Sequence, residues 1–224
     1  AVEEKKIAFG SAIRAAAFTN NGSLFAAAGQ KTVRLWIASD GKEIKKLDLE
    51  AEVSSLSFSG QNTTLAVGLT DGSIRLMNPT EGVETGRLSG HGKAITELSF
   101  NLQGTQLVSS SEDGSARLWD LAKKTELEHF PGHAGSVTGM QFQIDNRYVV
   151  SSGADGSLRV SPVTAQLGFV ADENRVNGLA VSSNGAVLAT AGQDGSVKTW
   201  NSNGAPTRSF TGFEGPALSV ALSP

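Results

Sequence analysis

Three side chains of the kinds found in a hydrolase triad, His91, Ser109 and Asp113, lie close together in this sequence. A histidine that is held by a carboxylate can take the proton of a serine hydroxyl, which turns the serine into a nucleophile. Such a nucleophile also needs an oxyanion site and open access, but the chain contains no Gly-x-Ser-x-Gly segment or equivalent. We therefore interpret the three residues as a buried hydrogen-bond network, because unsatisfied buried polar groups cost about 1 to 3 kcal/mol each. No catalytic residue is predicted.

The sequence indicates no metal site and no cofactor either. It has three histidines and no cysteine. His91 and His133 each follow a glycine in a recurring Gly-His pair, and positions that recur in this way lie too far apart to share a metal ion. No Gly-Lys-Ser/Thr phosphate loop is present. Two pairs of carboxylates in turn-like sequence are interpreted as solvated charges: Glu81 with Glu84, and Asp172 with Glu173.

The composition favours a folded chain built from short strands. Charged residues make up 18% and hydrophobic residues 39% of the chain, and 26 glycines favour tight turns. The net charge of -3 and the scattered lysine pairs provide no basic patch for nucleic acid. No apolar run approaches the roughly 18 residues that span a bilayer, so we expect no membrane insertion. Residue 1 is alanine rather than methionine, so removal of a leader peptide is one possibility. The sequence therefore leaves a cytoplasmic location and a periplasmic or extracellular one as alternatives.

The strongest signal is an internal repeat. Five segments share an apolar run, a turn and a second run: LFAAAGQKTVRLW, LAVGLTDGSIRLM, LVSSSEDGSARLW, VVSSGADGSLRVS and LATAGQDGSVKTW. They end at residues 36, 77, 119, 161 and 200, so the successive spacings are 41, 42, 42 and 39 residues. This interval matches a four-stranded propeller blade, which takes roughly 40 to 45 residues.

Each repeat predicts four antiparallel strands. Asp-Gly pairs that begin at residues 71, 113, 155 and 194 separate two apolar runs, which predicts a hairpin because both residues tolerate positive φ as the central residues of a turn. An alternating first strand precedes the hairpin, as in Ile95–Phe100, and a fourth strand follows it, as in residues 126–130. Because one such sheet cannot bury both of its faces alone, we expect the repeats to stack radially.

The third repeat carries a resemblance to a known family. Gly90-His91, Leu107-Val108-Ser109, Asp113-Gly114 and Arg117-Leu118-Trp119-Asp120 together resemble the consensus of the WD-repeat (Trp-Asp repeat) β-propellers. The resemblance implies an all-β propeller of four-stranded antiparallel blades. It also implies that His91, Ser109, Asp113 and Trp119 form a buried structural network. The matching residues of the other repeats are His133, Ser151 and Asp155 in the fourth repeat, and Thr190, Asp194 and Trp200 in the fifth.

The repeats depart from this pattern at several points. Ser161 replaces the tryptophan of the fourth repeat, the histidine position of the fifth repeat is empty, and the second repeat keeps only Asp71. We predict one domain, residues 1–224, with repeats at about 1–38, 39–79, 80–121, 122–163, 164–202 and a partial sixth at 203–224.

The two ends predict strands without a complete blade. Residues 5–9 are expected to form an outer strand, and residues 218–222 an inner strand. We therefore predict five well-formed blades and an imperfect sixth, a fragment of a seven-bladed ring being one alternative that would require roughly 63 more residues. Unpaired strands at the ends would invite pairing with a second copy, another chain or missing segments of the same protein.

The leading functional prediction is a non-catalytic scaffold for protein–protein interaction. In the WD-repeat family partners commonly dock on the face where the loops before the inner strands and the turns before the third strands emerge. The residues that the resemblance places there with anchoring side chains are Arg14, Glu52, Glu112, Arg175, Asn177 and Gln193. The alternatives are a self-assembling or partial propeller module and, less favoured, a propeller enzyme with its site in the central channel, for which no paired carboxylates or metal cluster are found.

Overall fold

The computed structural model describes residues 7–143, 146–162, 167–172, 175–201 and 204–223, and its regular structure consists of five four-stranded antiparallel sheets. We number these sheets as blades one to five in chain order. Blade one contains β1 (Ala15–Phe18), β2 (Leu24–Gly29), β3 (Thr32–Ile37) and β4 (Glu43–Asp48). Blade two contains β5 (Val53–Phe58), β6 (Leu65–Leu69), β7 (Ile74–Asn78) and β8 (Val83–Leu88). Blade three contains β9 (Ile95–Phe100), β10 (Gln106–Ser111), β11 (Ala116–Asp120) and β12 (Thr125–Phe130).

The last two blades follow the same order. Blade four contains β13 (Val137–Phe142), β14 (Tyr148–Gly153), β15 (Ser157–Pro162) and β16 (Leu167–Val170). Blade five contains β17 (Val176–Val181), β18 (Val187–Gly192), β19 (Val197–Asn201) and β20 (Pro206–Phe210). The described part of the chain has no helix, and so none with the length and hydrophobicity that crossing a bilayer requires.

The Asp-Gly pairs connect the second and third strands, as predicted, but with a different turn. In blade two the Gly72 amide donates to the Leu69 carbonyl at 3.2 Å, and Gly72 has a φ of 85°. At all four of these pairs only the glycine takes a left-handed φ. The aspartate is therefore a central residue of the turn and the glycine follows it, so the prediction that the two residues of the pair are both central is wrong.

The hydrophobic core lies between the blades. Between blades two and three, Ile74 and Leu88 of one sheet pack with Leu107 and Trp119 of the next, and all four are almost fully buried. Equivalent clusters join the other neighbouring blades. The inner strands contact one another in the order β1, β5, β9, β13 and β17, and no comparable contact closes the series from β17 to β1 among the described residues. Radial stacking is confirmed, and these blades form an open arc.

Blade one is covered on its outer face by the segment that precedes it. The ring of Phe9 packs 6.2 Å from that of Trp36, which stacks at 5.0 Å on Phe25. Trp36 is thereby only 3% exposed. The prediction of an outer strand at residues 5–9 is wrong where it can be compared, because residues 7–9 form no strand, while residues 5 and 6 lie outside the described residues. Side-chain packing, rather than strand pairing, holds this segment.

The segment after β20 lies where a sixth inner strand would begin. The Ala217 amide donates to the Gly192 carbonyl at 3.1 Å, as the Val53 amide donates to the Gln30 carbonyl at the start of blade two. The prediction of an inner strand at residues 218–222 is nevertheless wrong, since they form no strand. The reason is that a strand requires a hydrogen-bonded neighbour, and within the described residues none pairs with this segment.

Candidate functional site

The buried network of blade three joins the loop before the inner strand to the hairpin turn. His91 Nδ1 lies 2.9 Å from Asp113 Oδ2, and His91 Nε2 lies 2.8 Å from the Ser109 hydroxyl. The indole N–H of Trp119 donates to the same hydroxyl at 2.8 Å. The Gly92 amide also donates to Asp113 at 2.9 Å. A loop, a turn and two strands are therefore fixed to each other by side chains.

The geometry defines the protonation of this network. Since Asp113 accepts, His91 Nδ1 carries the proton, and Nε2 accepts from Ser109, which in turn accepts from Trp119. Burial lowers the pKa of His91, an effect that the nearby Asp113 carboxylate partly offsets, so the ring is neutral near pH 7. Although burial opposes it, hydrogen bonds from Ser115 and Gly92 hold the pKa of Asp113 well below its usual range.

The Ser109–His91–Asp113 connectivity matches that of a serine nucleophile, but its surroundings do not suit catalysis. Ser109 is 0% exposed, and its hydroxyl oxygen accepts a hydrogen bond from the indole N–H of Trp119. A substrate carbonyl cannot reach a buried hydroxyl that lies between two strands. The arrangement therefore acts as a structural clamp between loop and turn.

Blade four repeats the clamp without the tryptophan. His133 Nδ1 lies 3.1 Å from Asp155 Oδ1, and Nε2 lies 2.9 Å from the Ser151 hydroxyl. The Ala134 amide donates to Asp155 at 2.8 Å. Ser161, at the tryptophan position, is buried. Loop and turn are thus joined here as in blade three.

Blade five contains a substitution that the sequence comparison did not identify. Trp200 Nε1 donates to the Thr190 hydroxyl at 3.0 Å. The histidine position, predicted to be empty, holds Asp172. A Cβ atom on Gly192 would lie 2.1 Å from Asp172 Oδ2 and 2.6 Å from Asp194 Oδ1, so the two carboxyl groups lie against the same glycine. Asp172 is only 3% exposed, so its interpretation as a solvated turn charge is wrong. The signal that could have found it is the alignment of Ala171-Asp172 with Gly132-His133.

Five of the six residues predicted to face partners lie in loops and turns, and Asn177 lies in the inner strand β17. Arg14 and Glu52 form an ion pair across blades one and two at 3.4 Å, with side chains 56% and 44% exposed. The backbone amide of Gln193 donates to the Arg175 carbonyl at 2.8 Å, which puts turn and loop side by side. In blade three the Glu112 amide makes the equivalent bond to Ala94. Glu112, Arg175 and Gln193 are exposed, and neither Glu112 nor Arg175 forms an ion pair with the described residues.

Asn177 has a different environment from the other face residues. Its amide nitrogen donates to the Gln193 side chain at 3.2 Å and to the Ala217 carbonyl at 3.0 Å. Thr138 likewise donates from its hydroxyl to the Val176 carbonyl of the next blade at 2.7 Å. Both residues lie at a bulge of their inner strand, which turns a side chain toward the neighbouring blade. Asn177 therefore ties blade five to the terminal segment.

Within the described residues, no group of three or more His, Cys, Asp or Glu side chains is placed to hold a metal ion. The face carries both acidic and basic side chains, among them the exposed Glu112 and Arg175.

Comparisons with known proteins agree with this architecture. The WD40 family model, described as "WD domain, G-beta repeat", matches residues 5–36, 41–78, 82–120, 124–160 and 166–201. The crystal structure of the RRP9 WD40 repeats is similar with a TM-score of 0.82 and 22% sequence identity, over 89% of this chain and 63% of that chain. The chain thus spans less than two thirds of that structure's length, and the likeness concerns the fold. No curated protein sequence matches the chain. Each match after the first contains the outer strand of one blade and the first three strands of the next. Because the five matches cover most of the chain, the chain belongs to the WD40 family of β-propeller repeat proteins.

Proposed function

We propose that this chain is a non-catalytic scaffold that binds other proteins on the face formed by the loops before the inner strands and the turns before the third strands. We call this surface the loop face. It carries the residues Arg14, Glu52, Glu112, Arg175, Asn177 and Gln193. The observation that carries the proposal is the clamp of loop to turn by His91 with Asp113, repeated by His133 with Asp155.

The clamps matter because binding costs conformational entropy. A loop that is already held by buried hydrogen bonds loses little freedom when a partner docks, so more of the contact energy appears as affinity. Glu112 and Arg175 present opposite charges on exposed side chains of this face, and neither is paired within the part of the chain that the structure describes. Opposite charges at separate places favour a partner with complementary charges and oppose incorrectly oriented ones. Arg14 and Glu52 already neutralise each other in an exposed pair, which makes them weaker anchors.

Protein partners are favoured over nucleic acid. The net charge of -3 and the two acidic and two basic side chains of the loop face do not provide the clustered positive charge that phosphate backbones require.

The test is affinity capture followed by quantitative binding. Proteins retained by the immobilised chain are identified, and the dissociation constant of a purified candidate is measured by calorimetry. Glu112→Lys and Arg175→Glu should each weaken binding by about tenfold, or about 1.4 kcal/mol. The matched controls Glu81→Lys and Lys123→Glu make the same charge changes at exposed sites away from the loop face and should leave affinity unchanged. An affinity that responds only to the control changes would reject the proposal.

A second candidate function is that of a partial propeller completed by further blades, from a second copy, another chain or the same protein. The observation that favours it is the apolar surface at the two ends of the arc. Ile13, in the loop before blade one, is 53% exposed, and Phe213 and Leu218 in the terminal segment are 57% and 72% exposed. Exposed apolar side chains at both ends are available for contact with a further blade.

Native mass spectrometry with small-angle scattering tests this candidate. A dimer that Leu218→Asp disrupts would support self-association through the terminal surface. A monodisperse monomer with the scattering profile of a closed ring would contradict the open arc.

A further inference from the structure

Three blades share an ion pair between the third strand and the outer strand. The pairs are Arg34 with Glu43 at 3.7 Å, Arg75 with Glu84 at 2.9 Å, and Arg117 with Glu126. In each case the glutamate lies opposite the residue two places after the arginine: Trp36 with Glu43, Met77 with Glu84, and Trp119 with Glu126. The register therefore defines one position per outer strand from which a carboxylate reaches the cation.

Blade five has the cation but not the carboxylate. Lys198 takes the position of the arginine, and Pro206 lies opposite Trp200, where the other blades have glutamate. The outer strand β20, Pro206–Phe210, contains no acidic residue, and it adds a second cation, Arg208. Lys198 pairs with Asp194 of the hairpin turn at 3.1 Å, so the outer strand of this blade contributes a cation, Arg208, where the outer strands of the other three contribute a glutamate.

The two cations line a concave site on the outer rim. A concavity of about 550 Å³ is bounded by Ala171, Asp172, Lys198, Trp200, Pro206, Thr207, Arg208 and Ser209. Lys198 Nζ donates to Asp194 Oδ2 at 3.1 Å and to the Ala171 carbonyl at 3.3 Å, which leaves one of its three N–H groups. Arg208 is exposed and forms no ion pair with the described residues. We call this surface the rim groove.

We propose that the rim groove binds an acidic side chain of a partner peptide, whose carboxylate takes the place that Glu43, Glu84 and Glu126 occupy in the other blades. The chain itself provides the template, because a glutamate carboxylate already satisfies the equivalent cation in those blades. The guanidinium of Arg208 adds a planar pair of donors that matches a carboxylate. This site is separate from the loop face and does not depend on the function proposed there.

Titration calorimetry at low ionic strength provides the test, with a capped oligoglutamate peptide as the probe and an oligoglutamine peptide of equal length as its control. Oligoglutamate should bind and oligoglutamine should not. Arg208→Gln should weaken oligoglutamate binding by about tenfold. Pro206→Glu should weaken oligoglutamate binding by a similar factor, because the new glutamate of the chain itself would pair with Lys198 and exclude the peptide carboxylate. Lys123→Gln makes the same change of net charge on another blade and should leave binding unchanged.

Glutamate stands at the register position of Pro206 in three blades, so the Pro206→Glu variant should fold, and circular dichroism checks this. Equal binding of both peptides, or oligoglutamate binding that neither Arg208→Gln nor Pro206→Glu reduces, would overturn the proposal. Inorganic phosphate that binds more tightly than the peptide, and loses its affinity with Arg208→Gln, would also overturn it by assigning the groove to phosphate groups.

Discussion

Replacing Asp172 by histidine should stabilise the protein by completing the clamp of blade five. Asp172 occupies the position that His91 and His133 hold in blades three and four, and it is buried. The site has space for an imidazole, because Gly192 lies as close to the side chain of Asp172 as Gly153 lies to that of His133. A Cβ atom on Gly192 would lie 2.1 Å from Asp172 Oδ2, and one on Gly153 would lie 2.2 Å from His133 Nδ1.

The magnitude follows from the hydrogen bonds exchanged. The new Nδ1–H would donate to the Asp194 carboxylate, a charge-assisted bond of about 1.5 to 3 kcal/mol, and this gain roughly cancels the loss of the present interaction of Asp172 with Asp194. The net gain is the second bond, from the Thr190 hydroxyl to Nε2, which contributes about 0.5 to 1.5 kcal/mol. We therefore expect a stabilisation of about 1 kcal/mol, which raises Tm by roughly 2 to 4 °C in a protein of this size.

Urea denaturation of the wild type, Asp172→His, Asp194→Ala and the double variant measures this effect as a thermodynamic cycle. The gain in stability from Asp172→His should disappear in the Asp194→Ala background. Without the Asp194 carboxylate, nothing keeps the imidazole proton on Nδ1 and leaves Nε2 free to accept from Thr190. A histidine variant that is less stable than the wild type, or a gain that persists in the Asp194→Ala background, would refute the equivalence of Asp172 with the two histidines.

Three other changes test separate parts of the structure. His91→Ala should lower the free energy of unfolding by roughly 2 to 4 kcal/mol, because it leaves buried polar groups without partners, and an unchanged urea midpoint would contradict the clamp. Phe9→Ala should cost about 3 kcal/mol and increase acrylamide quenching of Trp36, whereas unchanged quenching would show that Phe9 does not cover it. Burial raises the pKa of Glu97 to about 7, from 4.5, so the protonated form is favoured in the folded state. The stability of the wild type relative to Glu97→Gln, which keeps an acceptor for the Met140 amide, should therefore fall by up to about 3 kcal/mol as pH rises from 5 to 8. Comparing the two proteins cancels the opposite effect of His91 and His133, whose pKa values burial lowers. Parallel pH profiles would contradict this.

The repeats of the fold could be predicted because their determinants are local. Alternating side chains and the Asp-Gly pair define each meander, and the predicted inner strand Ile95–Phe100 has the same bounds in the structure. Strands could be overpredicted at the two ends for the same reason. An alternating pattern at residues 218–222 indicates a strand, but whether one forms depends on a neighbouring strand that no local pattern supplies.

The sites were less predictable, because they depend on contacts between blades and on residues of different type that occupy the same structural position. Asp172 was missed since an aspartate does not resemble a histidine in sequence, although both lie against the turn aspartate. Asn177 was expected to anchor a partner, and its contact with Ala217 depends on how a bulge turns its side chain toward the next segment. The rim groove was missed because its signal is that Pro206 stands where other blades have glutamate. This can be recognised only once the strand register shows that Pro206 lies opposite Trp200.

The central claim, that partners dock on the loop face of a rigid scaffold, is tested most directly by amide hydrogen exchange with and without a captured partner. The claim predicts new protection in the loops before the inner strands and in the adjoining turns, including the amides of Gly92, Glu112 and Gln193. Protection confined to the outer strands β4, β8 and β12, with these loops and turns unchanged, would contradict it.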